Sequence, residues 1–228
     1  MKYVFLIVFF GTVSLVGNAQ DNEHYLETRG YRNSTYFNPV IVFGFVNPAL
    51  EFGYIRNFEN MLSTKFSASY LFAESVTNRS NDIPRDAKGF RLSLEERFYL
   101  ERTVKQDRYV GIEFAYLQRD QSVLFRFNPQ DPYDSTFYDT GYNDTVRVHR
   151  QTYSFNLNFG KQYFYNRAYF EVLFGFGLRY KNIYHTDRIN PSDPIEPSKD
   201  FNFKNSNNRE KKSWGLSLPL AIRVGYIF

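Results

Sequence analysis

Residues 214–228, WGLSLPLAIRVGYIF, carry an apolar side chain at every even position: Trp214, Leu216, Leu218, Leu220, Ile222, Val224, Tyr226 and Phe228. Between them stand Gly215, Ser217, Pro219, Ala221, Arg223, Gly225 and Ile227. Successive side chains of a strand point to opposite faces, so a period of two predicts a strand whose faces meet different surroundings. Which surroundings those are decides the fold.

The pattern recurs upstream. Leu50, Phe52, Tyr54 and Phe58 share even parity, interrupted by Arg56, and Leu62, Phe66, Ala68, Tyr70 and Phe72 alternate with Ser63, Lys65, Ser67 and Ser69. Phe90, Leu92, Leu94, Phe98 and Leu100 follow, interrupted by Glu96, and then Val110, Ile112, Phe114 and Tyr116. Tyr153, Phe155, Leu157 and Phe159 shift the parity, and Ala168 to Tyr180 shift it back. With the C-terminal stretch these make seven runs of one design.

Their connections alternate in length. Short ones fall at Glu59-Asn60-Met61, at Arg102 to Asp107 and at Asn166-Arg167. Long polar ones fall at about residues 75–86, 127–150 and 186–212. Antiparallel strands crossing a membrane turn on opposite sides in sequence, with short periplasmic turns and long external loops. Parity then requires one more strand before Leu50, and Tyr36 to Val46 supplies it. The expected fold is all-β, a transmembrane antiparallel up-and-down β-barrel of eight strands. An even count suits closure, which lipid demands because it cannot satisfy an open edge's N–H and C=O groups.

A β-sandwich would alternate too, with its apolar residues inward. Three features oppose it. The runs near 108–126, 146–165 and 168–186 are far longer than soluble strands. Rings gather at strand ends: Tyr163, Tyr165, Tyr169, Phe170, Tyr226 and Phe228 beside the short turns, and Tyr70, Phe72, Tyr184 and Trp214 near the long loops. Two such belts suit the two interfaces of a bilayer. The other face is small or charged, as a narrow polar barrel interior requires.

Composition agrees. With 25 Phe and 19 Tyr, the chain still has a mean hydropathy of −0.50, which alternating strands permit. The absence of cysteine removes disulfides and thiolate metal sites. Lys and Arg number 28 against 24 acidic residues, without a basic block, so nucleic acid is not an expected partner.

The N-terminus reads as a cleaved secretory signal peptide over residues 1–19: Lys2, an apolar run from Tyr3 to Val16, and a small-x-small site at Gly17-Asn18-Ala19. Residues 20–34 are then a periplasmic extension and residues 35–228 the barrel.

On these residues the chain resembles small outer-membrane β-barrel proteins of the OmpA, OmpX and OmpW kind. In that family the last strand carries a signal for the outer-membrane insertion machinery, a terminal aromatic preceded by apolar residues at every second position. Leu220, Ile222, Val224, Tyr226 and Phe228 match it. The resemblance implies a place in the cell outer membrane of a Gram-negative bacterium. Pro219 departs from an ideal strand interior, since it removes a ladder hydrogen bond, and predicts an irregularity there.

The charged residues on the expected lumen face are Glu51, Lys65, Arg91, Glu95, Arg97, Glu113, Glu171, Arg179, Lys181 and Arg223. They are expected to form a structural, salt-bridged plug, because eight strands leave room for side chains rather than for a pore. A gated pore or proton path is the alternative. The histidines are His24, His149 and His185, and the His-x-Ser arrangement of barrel deacylases is not among them. His149 and His185 sit at strand ends, where they are able to approach each other and Asp144 or Asp187. Surface histidines are expected instead, and no catalytic residue, cofactor or metal. The loop at 128–145 holds Asp131, Asp134, Asp139 and Asp144 without EF-hand spacing. The last loop spaces Pro191, Pro194 and Pro197 for an extended segment and ends on Arg209, Lys211 and Lys212, suited to lipopolysaccharide phosphates or a partner protein.

The expected function is therefore non-enzymatic, a structural or surface-interaction role through long external loops. The alternatives are a narrow channel or carrier for small solutes, an accessory barrel of an envelope secretion or assembly machine, and a lipid-modifying barrel enzyme.

Overall fold

The computed structural model describes residues 33–38, 49–58, 61–71, 87–103, 105–127, 141–195 and 209–228. The expected signal peptide, His24, positions 39–46 of the first strand, Asp131, Asp134, Asp139 and Pro197 lie outside these residues.

The strands are β1 (Asn33–Phe37), β2 (Ala49–Phe58), β3 (Leu62–Leu71), β4 (Lys88–Arg102), β5 (Gln106–Phe127), β6 (Tyr142–Tyr165), β7 (Ala168–Thr186), β8 (Lys211–Ser217) and β9 (Leu220–Ile227). From β1 to β7 each pairs antiparallel with the next. Both β8 and β9 pair with β7, opposite Gly177–Ile183 and Ala168–Phe174 respectively, so they are two lengths of one strand. Pairing of β9 with β1 closes the sheet into a ring of eight strands. The expected first strand exists, and it already begins at Asn33.

The break between β8 and β9 falls at Leu218-Pro219. A proline cannot donate to the ladder. Its carbonyl still serves, accepting the Gly175 N–H at 2.9 Å, so the irregularity is local and the strand resumes in register. At the tight β6–β7 turn Asn166 has a φ of 53°, a left-handed conformation that asparagine tolerates.

The two faces of the ring are inverted relative to a water-soluble protein. Phe155 is 57% exposed, Trp214 73% and Leu220 71%, whereas Lys65, Glu95, Arg97 and Glu171 are at 0%. A sandwich would show the opposite distribution. Odd positions point inward on β2–β5 and β7–β9, and even positions on β1 and β6.

Rings mark two levels on the outside. Tyr116, Tyr153, Tyr180 and Trp214 stand opposite one another on four neighbouring strands. Their ring centroids lie 5.0 Å apart for Tyr116–Tyr153 and 5.2 Å for Tyr180–Trp214. Tyr163 and Phe170 form a lower pair, with Tyr226 nearby opposite Ala168. Tyr169, expected in this outer row, is buried in the lumen instead, because odd positions of β7 face inward, and Phe72 lies outside the described residues. From Tyr153 to Tyr163 along β6 is ten residues; at roughly 3.3 Å per residue and a tilt near 40° the levels are separated by about 25 Å, the height of an outer-membrane apolar band.

Strands β5, β6 and β7 continue beyond the upper level. β5 and β6 pair without interruption to Phe127↔Tyr142, so positions 142–145, expected in a loop, belong to β6. The reason is a small apolar core on one face of this extension: Phe125, Phe127, Val146, Val148 and Ile183, with Val123, Tyr142 and Ile195 against it. Residues 187–195 fold over it. Ile195 bridges Phe127, the Tyr142 hydroxyl donates to Asp193 at 2.9 Å, and the Ile189 N–H donates to Asp144 at 2.9 Å. Pro191 accordingly sits in a turn, closed by Asn190 Nδ2 donating to Asp193 at 3.0 Å, and not in an extended segment.

Candidate functional site

Period-two alternation sends the inward charges of six strands into one lumen. Arg97 on β4 reaches across to β7 and donates from Nη1 to Glu171 Oε2 at 2.8 Å and from Nη2 to Oε1 at 3.1 Å. Arg97 also pairs with Glu95 at 3.1 Å. Lys65 Nζ lies 2.7 Å from Glu95 and 3.4 Å from Glu113, which separates two carboxylates that stand directly opposite on β4 and β5. Arg91 reaches Glu113 at 3.4 Å. Arg223 on β9 pairs with Glu171 and approaches Glu51 at 3.7 Å.

Amides complete the coordination of each carboxylate. Asn38 donates to Glu51 at 3.3 Å, Asn158 to Glu95 at 2.6 Å, Asn156 to Glu113 at 3.0 Å and Gln162 to Glu171 at 2.7 Å. The Tyr36 hydroxyl adds a bond to Glu51 at 3.0 Å. A buried carboxylate needs such partners, since charge without them is costly out of water. Charge counting alone missed these amides. Their signal was present in β6, where Asn156, Asn158 and Gln162 take the positions between Phe155, Leu157, Phe159 and Tyr163.

Eight of the ten expected lumen charges therefore meet. The other two do not join them: Arg179 and Lys181 point into the lumen higher up, with Arg150 and Lys211 among the charges near Lys181. Separating them leaves Glu51, Glu95, Glu113 and Glu171 against Lys65, Arg91, Arg97 and Arg223, four charges of each sign. The network is neutral. Below it tyrosines fill the lumen. Tyr99 and Tyr109 pack with Leu173 and Ala221, and Tyr36 and Tyr169 with Ile55 and Ile227. The Arg97 guanidinium lies 4.2 Å from the Tyr109 ring centre, joining the two layers.

The histidines are placed on opposite faces. His185 lies inward, with its ring 5.2 Å from Phe125. His149 faces outward above the upper aromatic row, stacked on Tyr184 at 4.9 Å. Its Nδ1 is 2.8 Å from Asp120 Oδ1 and its Nε2 is 2.9 Å from Thr186 Oγ1. The two imidazoles do not meet, because β6 carries its outward residues at odd numbers and β7 at even ones. Among the described residues no group of three or more His, Asp and Glu side chains has the arrangement of a metal site.

The five expected insertion-signal residues, Leu220, Ile222, Val224, Tyr226 and Phe228, all lie on the outer face, alternating with buried Ala221, Arg223 and Ile227.

No protein-family model matches the chain, and no curated protein matches it. Among solved structures, the chain is similar to the crystal structure of a major outer membrane protein from Thermus thermophilus. The identity is 12% and the TM-score 0.40, over 86% of this chain and 97% of that one. At that distance the functional reading rests on this chain's own geometry.

Proposed function

We propose that this chain is an integral outer-membrane β-barrel of Gram-negative type, non-enzymatic, with a structural or surface-interaction role. The observation that carries this reading is the inverted ring: an apolar band about 25 Å tall outside, bounded by aromatic rows, around a neutral and densely paired interior. Residues 1–19 direct export and are removed, residues 20–32 remain in the periplasm, and the alternation ending at Phe228 is read by the insertion machinery. Lipid surrounds the band. Arg209, Lys211 and Lys212 meet lipopolysaccharide phosphates at the outer rim. The β5–β6 hairpin rises roughly 25–30 Å above the upper aromatic row, with β7 beside it for about half that height, and displays the external loops to a protein partner.

The plugged middle supports this role over that of a solute channel. Lys65, Glu95, Arg97 and Glu171 are at 0% exposure, and tyrosine layers pack beneath them, a dense filling that argues against a solute path. Two measurements test the proposal together. After membrane fractionation the protein is expected in the outer membrane, migrating faster on a gel unheated than boiled; a detergent-free, monodisperse product in plain buffer overturns it. Co-purification in mild detergent, with and without residues 187–195, then reads the surface role.

One observation favours a second reading. Asp120, His149 and Thr186 follow the order of a carboxylate–imidazole–hydroxyl relay, the carboxylate on Nδ1 and the hydroxyl on Nε2. Such a relay outside a barrel would suit ester hydrolysis in the outer leaflet. The same contacts also tie β5, β6 and β7 together, and His149→Ala separates the two roles. Loss of an ester-hydrolysing activity with unchanged assembly supports the enzyme.

A further inference from the structure

Two charges interrupt the apolar outer face. Arg56 on β2 and Glu96 on β4 have the even parity of the outward residues around them, and they stand in one cross-strand row with Thr64 of β3 between. On β4 the upper aromatic level is at Phe90, whose ring lies 5.8 Å from that of Tyr116, and the strand ends at Arg102. Glu96 therefore lies inside the apolar band, between Leu94 and Phe98 on the same face.

A carboxylate turned toward hydrocarbon lowers barrel stability, and ionisable groups at membrane depth mark functional contacts. Thr64 Oγ1 donates to Glu96, 2.7 Å from Oε1 and 2.9 Å from Oε2. One hydroxyl supplies one proton, so most of the acceptor capacity of this carboxylate is left uncovered. Arg56 is exposed and lies 5.3 Å from the Phe58 ring centre; among the described residues it pairs with no carboxylate. Its position near the periplasmic end of β2 lets it reach water, which the shorter side chain of Glu96 cannot do.

We propose that this face binds a second copy of the chain within the membrane. Positive, short and negative side chains in sequence are self-complementary. A two-fold axis along the membrane normal beside Thr64 sets Arg56 of each copy against Glu96 of the other. The heights also suit. Followed around the ring, the register that starts at Tyr226 returns to the last strand at Leu216, farther from the periplasmic turns, so each row climbs from β1 toward β7. Glu96 is thus above Arg56, and the long arginine stem spans the rise. Thr64 is short enough to let the two faces approach.

The test uses the full processed chain refolded in nonionic detergent, with association followed by sedimentation equilibrium as the protein-to-detergent ratio rises. A monomer–dimer equilibrium is expected. Arg56→Glu and Glu96→Arg each set like charges against one another across the axis and are expected to weaken self-association about tenfold or more. Mixed in equal amounts, the two variants present opposite charges at both contacts and are expected to recover the association as a heterodimer, which misfolding of either does not produce. Because the chain has no cysteine, Thr64→Cys gives a second readout. A short bis-maleimide added to outer membranes is expected to join two copies through it, and not through Leu178→Cys across the ring on β7. A chain that stays monomeric at every ratio, reversals that leave association unchanged, or a mixture that fails to associate overturns the proposal. A cross-link from Thr64→Cys to a different protein also overturns it and assigns the face to that partner. The inference rests on the membrane reading, which the heat-modifiable migration of each variant reports separately.

Discussion

Arg97 and Glu171 stand on strands that are not neighbours in the ring, 74 residues apart in sequence, and meet across the lumen through two hydrogen bonds of 2.8 and 3.1 Å. Both side chains are fully buried. This pair ties β4 to β7 through the middle of the barrel, a connection no backbone ladder makes.

Replacing Glu171 removes a carboxylate shared by two buried guanidiniums and leaves Arg97 with Glu95 and Arg223 with Glu51 in a dry interior. Glu171→Gln is expected to lower barrel stability by about 3–5 kcal/mol, since breaking a buried pair costs far more than removing both charges. Arg97→Met combined with Glu171→Met is expected to recover much of that loss. Urea unfolding in detergent measures both, and equal stability of Glu171→Gln and the parent would show that the pair contributes nothing.

Three lumen tyrosines cover glycines that stand directly opposite them: Tyr36 over Gly53, Tyr109 over Gly160 and Tyr169 over Gly225. A methyl group at any of these glycines would overlap the ring. Gly160→Ala is therefore expected to push Tyr109 out of place and cost about 1–3 kcal/mol, the usual range for overpacking. A urea midpoint unchanged by this variant would mean that the tyrosine layer is loosely packed.

The outer extension should respond independently of the barrel. Phe127 is fully buried in its apolar core, bridged to Ile195 and covered by the Arg188 guanidinium at 5.0 Å. Phe127→Ala removes a large buried ring, a change that typically costs about 3–5 kcal/mol. Hydrogen exchange is expected to quicken at residues 123–127 and 142–148 while the band between the aromatic rows stays protected. Equal protection at both levels would refute a separate core.

Assembly is the readout for the last residue. Phe228 lies on the outer face at the end of the alternation, 54% exposed, where it adds little to packing. Phe228→Ala is expected to slow folding into the outer membrane in cells while barely moving urea stability of the refolded barrel. Normal assembly of this variant would remove the insertion-signal reading.

Much of this was legible in the sequence because the period of two is a local property. Each strand reports its own two faces through adjacent residues, so the lipid side, the lumen side and the strand count followed from alternation and loop parity. The opposite faces of His149 and His185 were also legible, since the outward Phe155 shares odd parity with His149 and the outward Phe176 is even on the strand of His185. Pro219 announced the β8–β9 break by the N–H it lacks. Hidden from the sequence was every relation across the lumen. Which carboxylate Arg97 meets depends on strand tilt and stagger, set by all eight strands at once. The same stagger gathered eight of the ten inward charges into one neutral network and left Arg179 and Lys181 higher in the lumen. It also let Phe125, Phe127, Val146, Val148 and Ile183 find one another and carry β5 and β6 past the expected loop boundary. Local chemistry determined the faces; ring closure, a property of the whole sheet, decided the partners.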